Sequence, residues 1–145
     1  MLISKIKNPN ISQNLLSKGF TNLTDIQIKM LEIHEDKKDL LVTSQTGSGK
    51  TIAYFLSIQN EISSKKIKEN GSPRVLIVAP TRELAIQVFE EAQWFFQGED
   101  IKVITTIGGM EIKKERKNLL TKFSLLIGTP GRINDHLRKN KLILS

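Results

Sequence analysis

Apolar residues along this chain alternate between short solid runs and widely spaced stripes. Leu40-Leu41-Val42-Thr43, Val75-Leu76-Ile77-Val78, Val103-Ile104-Thr105-Thr106-Ile107 and Leu125-Leu126-Ile127 are the solid runs. Runs this short, bounded by polar and turn residues, predict strands covered on both faces. Between them the spacing becomes helical. Ile52, Phe55, Leu56 and Ile62 line one side of a helix over 50–62, and Leu84, Ala85, Val88, Ala92 and Phe95 form the core face of the next. Further helices are predicted over 111–121 and 131–139. Upstream, residues 10–18 read as a short helix closed by Gly19 at C′. Thr24 is placed to cap another, which carries Ile26, Met30 and Ile33. The stretch 63–73 is polar, rich in lysine and ends in Gly71-Ser72-Pro73, which predicts an exposed loop.

Strand and helix therefore alternate, with strands apolar on both faces. That is the signature of an α/β fold: a parallel sheet covered by helices. In such sheets ligands gather beyond the carboxyl ends of the strands. The unusual loops of this chain fall at those ends.

The first of them is Ser44-Gln45-Thr46-Gly47-Ser48-Gly49-Lys50-Thr51, between the run at 40–43 and the helix at 50–62. It is close to the phosphate-binding pattern G-x-x-x-x-G-K-[ST], with Ser44 in place of the first glycine. Gly47 and Gly49 let the backbone curl so that successive N–H groups face an anion. The helix N-terminus adds partial positive charge. Lys50 offers a flexible cation to the β and γ phosphates, and the Thr51 hydroxyl is a hard oxygen suited to Mg²⁺. The loop points to a nucleoside triphosphate without saying which.

Composition narrows the class. At 145 residues and 39% apolar, the chain is long enough for one domain with a real core. It has no cysteine, which excludes disulfides and Cys-ligated zinc and fits a cytoplasmic setting. No apolar run approaches the ~18 residues of a membrane span. Residues 1–10 lack the continuous apolar core of a signal peptide. Residues 101–145 hold ten Lys and Arg against three Asp and Glu, which is the whole net charge of +7. A one-sided basic excess fits a polyanionic partner, and it equally fits a solvated lysine surface.

Two more strand-end segments decide the matter. Pro80-Thr81-Arg82-Glu83-Leu84-Ala85 follows the second run, and Thr129-Pro130-Gly131-Arg132 follows the fourth. Together with Gly108-Gly109 after the third run, and Gly19-Phe20 with Ile26-Gln27 upstream, they resemble the DEAD-box family of ATP-dependent RNA helicases. The resemblance covers nearly the whole chain. It implies a P-loop, RecA-like fold, with residues 1–28 as the Q-motif region and 29–145 as the N-terminal part of the ATP-binding domain. ATP and Mg²⁺ are the implied cofactors, and RNA is the implied partner.

The roles that the resemblance implies can be set beside plainer ones. Phe20, Thr24 and Gln27 would join residues 44–51 in holding ATP. The Gln27 amide offers a donor and an acceptor that match adenine N6 and N7, and its plain alternative is an exposed helix glutamine. Thr24 would bond near the phosphate loop, or serve only as an N-cap. Pro80, Thr81, Arg82, Gly108, Gly109, Thr129, Pro130, Gly131 and Arg132 would meet RNA backbone, a grip with little sequence information. The plain alternative for Arg82 is an ion pair, and for Arg132 an exposed charge. Trp94, Phe95 and Phe96 read as core. Lys113, Lys114, Arg116 and Lys117 read as a solvated helix face, and His34 and His136 have no assigned role.

Three departures from the family pattern stand out. Leu2 occupies the place of the usual adenine-stacking aromatic. Leu23 replaces the proline before the Q-motif threonine. The Asp-Glu-Ala-Asp tetrad occurs nowhere in the chain. The resemblance thus implies an incomplete domain, lacking the catalytic carboxylates and the second RecA-like domain. Residues 1–145 alone are expected to lack helicase-rate hydrolysis, and to be marginally stable because the missing strand would be central to the sheet. The rival reading is a stand-alone, non-catalytic nucleotide- or RNA-binding module.

Overall fold

A computed structural model describes residues 1–33, 39–63, 72–109 and 111–144. His34 and most of the predicted loop at 63–73 lie outside the described residues. The chain divides into two compact units. One comprises residues 1–61 with 94–99, and the other 62–93 with 100–145.

The first unit is helical. A single turn of 3₁₀ helix at Ile3–Lys5 precedes α1 (Pro9–Ser17), α2 (Asp25–Ile33) and α3, which begins at Lys50 and runs to Ser63. Asn8 caps α1 by accepting from the Asn10 and Ile11 backbone N–H groups, and Pro9 sits at the first helical position, where a missing N–H costs nothing. Asn14 on α1 donates to the carbonyls of Phe95 and Gln97 at 3.0 and 2.8 Å. The core of the unit joins aliphatic residues such as Ile3, Ile11, Leu15 and Leu56 to a group of phenylalanines. Phe55 is fully buried, 5.3 Å from Phe95 and 5.5 Å from Phe96 between ring centres. Phe95 and Phe96 thus are core, as expected, while Trp94 stacks on Phe20 at 6.2 Å.

The second unit holds a three-stranded parallel sheet. Its elements are β1 (Val75–Val78), α4 (from Arg82, ending at Phe95 in the first unit), β2 (Val103–Thr106), α5 (Ile112–Leu119), β3 (Leu125–Gly128) and α6 (Pro130–Arg138). The strand order is β1-β3-β2, so the last strand is central. That order agrees with composition: all four residues of β3 are buried. Leu126 anchors a cluster with Ile104, Leu119, Phe123, Ile133 and Leu142.

Register matters more for function than layer count. Val78, Gly128 and Thr106 are cross-strand partners at the carboxyl ends of the three strands. Pairing even continues one residue further, since Ala79 N–H donates to Gly128 O and Thr129 N–H to Thr106 O. All three following loops therefore leave the sheet at the same level.

Three expectations need correction. Leu40-Leu41-Val42-Thr43 is not a strand: it pairs with none of the described strands, and Leu41 is 94% exposed. An apolar run becomes a strand only when a neighbour supplies ladder hydrogen bonds, and no described strand does so here. Nor is β1 covered on both sides. Val75, Leu76 and Ile77 are half-buried and Val78 is half exposed, and among the described strands β1 lies at the edge, paired only with β3. Leu84 stands outside the core face of α4, 39% exposed, while Ala85, Val88, Ala92 and Phe95 are buried as the spacing predicts.

Candidate functional site

The phosphate-loop segment lies in the first unit, between residues 41–43, which adopt no regular secondary structure, and the start of α3. Its cation is folded back. Lys50 Nζ donates to the carbonyls of Ser44 and Gln45, both at 2.7 Å. The hydroxyls of Ser44 and Ser48 meet at 2.6 Å across the loop. Gly49 has φ +83°, a conformation that disfavours any side chain. A Cβ there would also collide with Gln27 Nε2. The reason is a direct tie: Gln27 Nε2 donates to Gly49 O at 3.2 Å, while Gln27 Oε1 accepts from Thr24 N–H at 2.9 Å. The Thr24 hydroxyl in turn donates to Ser48 O at 3.1 Å.

So Gln27 is no exposed helix glutamine. It is 1% exposed, and it and Thr24 bind the start of α2 to the loop. Beside them opens a pocket of about 460 Å³, lined by Thr24, Asp25, Ile26, Lys29, Thr43, Ser44 and Ser48. That volume falls within the range of small-ligand clefts. Phe20 is half-buried against Trp94, whose ring also lies 5.4 Å from Lys18 Nζ. Leu2 is half exposed and bridges to Asn22, and Leu23 is buried.

The donor set suits a polyphosphate with a hard divalent cation. Lys50 supplies the positive charge, the Thr51 hydroxyl a hard oxygen, and the start of α3 its free backbone N–H groups. Among the described residues no group of three His, Asp or Glu could hold a metal by itself. A cation here would depend on Thr51 and on the ligand's own oxygens.

In the second unit the three strand-end loops form another cluster. Thr81 precedes α4 and its hydroxyl accepts from Leu84 N–H at 3.3 Å, an N-cap bond. Arg82 is exposed, and among the described residues it forms no ion pair with a carboxylate. Its guanidinium lies against Gly109, where a Cβ would strike Nη1. Gly109 itself has φ +83°. Gly108, Pro130 and Gly131 are exposed, and Thr129 is half-buried. Pro130 opens α6.

Arg132 is not the exposed charge of its plain alternative. Its side chain is only 13% exposed, and Nε lies 3.1 Å from Glu115 Oε2. Glu115 is 2% exposed, inside a helix that otherwise shows lysines to solvent. Its other oxygen accepts from Ile107 N–H at 3.0 Å, and His136, fully buried, meets Oε2 through Nε2 at 2.9 Å. Neither Glu115 nor His136 stands out in the sequence as functional. A signal is nonetheless present: Glu115 lies four residues before buried Leu119, and His136 three after buried Ile133, so each falls on an inward stripe. On the outer side of α6, a hydrogen bond from Lys139 holds the Asp135 carboxyl below the usual carboxylate range.

The sequence model of the DEAD/DEAH box helicase family matches residues 24–145. The chain belongs to that family. It is 36% identical over 138 residues to the DEAD-box ATP-dependent RNA helicase CshC of Bacillus cereus, covering 95% of this chain and 34% of that protein. It is 36% identical over 141 residues to the ATP-dependent RNA helicase DBP4 of Meyerozyma guilliermondii, covering 94% of this chain and 19% of the relative. A DEAD box protein from the hyperthermophile Methanococcus jannaschii has a similar fold, with a TM-score of 0.82, 32% identity and coverage of 99% of this chain and 38% of the other. The parallel sheet with its helices matches the RecA-like domains of such helicases. This DEAD-box chain thus spans about a fifth to a third of the length of these two curated relatives. Among its described residues no helix is long and apolar enough to cross a membrane.

Proposed function

We propose that this chain binds ATP with Mg²⁺ and grips RNA backbone, as the N-terminal part of an ATP-dependent RNA helicase that remodels RNA. The observation that carries the reading is the coupling of Lys50, Gly49, Gln27 and Thr24 into one hydrogen-bonded cradle around a phosphate loop. On binding, the Lys50 ammonium exchanges the Ser44 and Gln45 carbonyls for phosphate oxygens. Thr51 would offer its hydroxyl to Mg²⁺, which when bound would supply positive charge to the triphosphate. Gln27 reads adenine with the donor and acceptor positions that its two internal bonds leave over. Phe20 holds the Q-motif region against Trp94.

The RNA grip rests on the second unit. Thr81, Arg82, Gly108, Gly109, Thr129, Pro130, Gly131 and Arg132 leave the sheet at one level. They present an arginine fork, small turns and the first turns of α4 and α6, all suited to phosphate oxygens and indifferent to base identity. A stand-alone binding module is the less favoured reading, because the matched relatives are named as helicases.

Titration with a fluorescent ATP analogue in magnesium tests the proposal. Saturable binding is expected, and Lys50→Ala should weaken it at least about tenfold, as removal of a charge-assisted hydrogen bond does. A folded wild-type chain that ignores nucleotide would overturn the reading. Turnover is a separate matter. Residues 1–145 contain no Asp-Glu-Ala-Asp tetrad. Phosphate release by this polypeptide with ATP and RNA is expected to stay at the Lys50→Ala level, and a clearly higher rate would show that other groups position the water.

A further inference from the structure

We infer that Glu115 is a positioning residue that ties the two RNA-facing segments of the second unit together. The inference rests on the RNA-backbone reading above. One buried carboxylate touches both segments. Oε1 accepts from the backbone N–H of Ile107, the residue directly before Gly108-Gly109. Oε2 meets Arg132 Nε at 3.1 Å, an ion pair by distance, and His136 Nε2 at 2.9 Å, both on α6 after Thr129.

The chemistry explains why an acid is buried there. An isolated buried carboxylate is costly, and it persists only where charge and hydrogen bonds compensate it. Here a guanidinium, an imidazole and a backbone N–H do so together. The same interactions constrain each partner. With Nε held at Glu115, the plane of the Arg132 guanidinium is restricted, which lowers the ordering cost when it meets a phosphate. With its preceding N–H held, the Gly108-Gly109 turn has a fixed starting point against α5. His136 Nδ1 is buried and has no hydrogen-bond partner among the described residues. The imidazole is therefore retained through its Nε2 bond to Glu115. Glu115 touches no RNA itself and acts through Arg132 and the turn.

Glu115→Gln is the test. The substitution keeps the shape and an acceptor for Ile107 N–H, but it places an amide opposite Arg132 where a negative charge stood. Binding of a fluorescein-labelled single-stranded oligouridylate to the full chain is measured by anisotropy over a salt series, with circular dichroism confirming the fold. Affinity is expected to fall about three- to tenfold. The slope of log affinity against log salt should shrink by about 0.7 for each phosphate that is no longer neutralised. The effect should vanish in the Arg132→Ala background, because Glu115 works through Arg132. A folded Glu115→Gln protein with unchanged affinity and slope overturns the inference, as does a loss that adds in full to that of Arg132→Ala. A second measurement uses the unmutated protein: hydrogen exchange at the Ile107 amide should slow when RNA saturates the site, and unchanged exchange counts against the tie. If the wild-type chain binds no RNA at all, the backbone-grip reading falls and takes this inference with it. If it binds and only Glu115 proves silent, the grip stands without the tie.

Discussion

Leu126→Ala is expected to destabilise the protein by about 3–5 kcal/mol, the upper part of the range for large-to-small core changes. Leu126 is fully buried and sits on β3, the central strand. Both neighbouring strands are hydrogen-bonded to β3, so the backbone cannot close into the space that a deleted isobutyl group leaves. Ile104, Leu119, Phe123, Ile133 and Leu142 would all face the void. Against a typical total of about 5–15 kcal/mol, the change removes a large share of stability. Urea denaturation followed by circular dichroism measures it. Val78→Ala provides the internal contrast. Its side chain is half exposed on the edge strand, and its cost should stay below about 1 kcal/mol. Similar midpoint shifts for the two variants would contradict the strand order described above.

Gly49→Ala is the second large effect, and it acts on binding. Two causes add. The backbone there has φ +83°, where a side chain costs about 1 kcal/mol or more. The new methyl would also fall on Gln27 Nε2, which is buried and already bonded to Gly49 O and, through its carbonyl, to Thr24 N–H. Gln27 must leave, and the tie between α2 and the phosphate loop goes with it. Nucleotide affinity is expected to fall more than about tenfold, with a smaller drop in stability. Gln27→Ala made together with Gly49→Ala should recover part of that drop, since the collision is gone while the backbone strain remains. Calorimetric titration and thermal melting of the single and double variants check this. No recovery at all would mean that backbone strain alone governs the loop.

Much of the architecture is legible in the residue pattern, and the exceptions share a cause. Helices announce themselves through local spacing, so α1, α3, α5 and α6 emerge within a few residues of their observed ends. Strands 75–78, 103–106 and 125–128 are legible because each finds a partner. The run at 40–43 has the same composition and finds none among the described residues, and no local pattern carries that information. Edge or centre is equally nonlocal. Val75-Leu76-Ile77-Val78 and Leu125-Leu126-Ile127 look alike as strings, yet one lies at the rim of the sheet and the other at its middle.

The candidate site divides in the same way. The curl of residues 44–51 follows from its glycines and lysine and is readable directly. That Gln27 and Thr24 fasten onto Ser48 and Gly49 is an interaction over more than twenty residues, and only the family resemblance hints at it. Glu115 is the clearest omission. Four basic neighbours on α5 suggest a face turned wholly to water, and they mask the one acid that points inward.

The folded-back ammonium of Lys50 bears on selectivity. The lysine already has two strong acceptors, the Ser44 and Gln45 carbonyls, so an incoming anion competes with the protein's own oxygens. A lone orthophosphate ion brings one small cluster of oxygens and little else to that contest. A nucleotide tail brings linked phosphates, a metal ion and an attached base that draws on the neighbouring pocket. The loop is in this sense self-occupied, and under the proposed function orthophosphate is expected to displace the lysine far less readily than a nucleotide does.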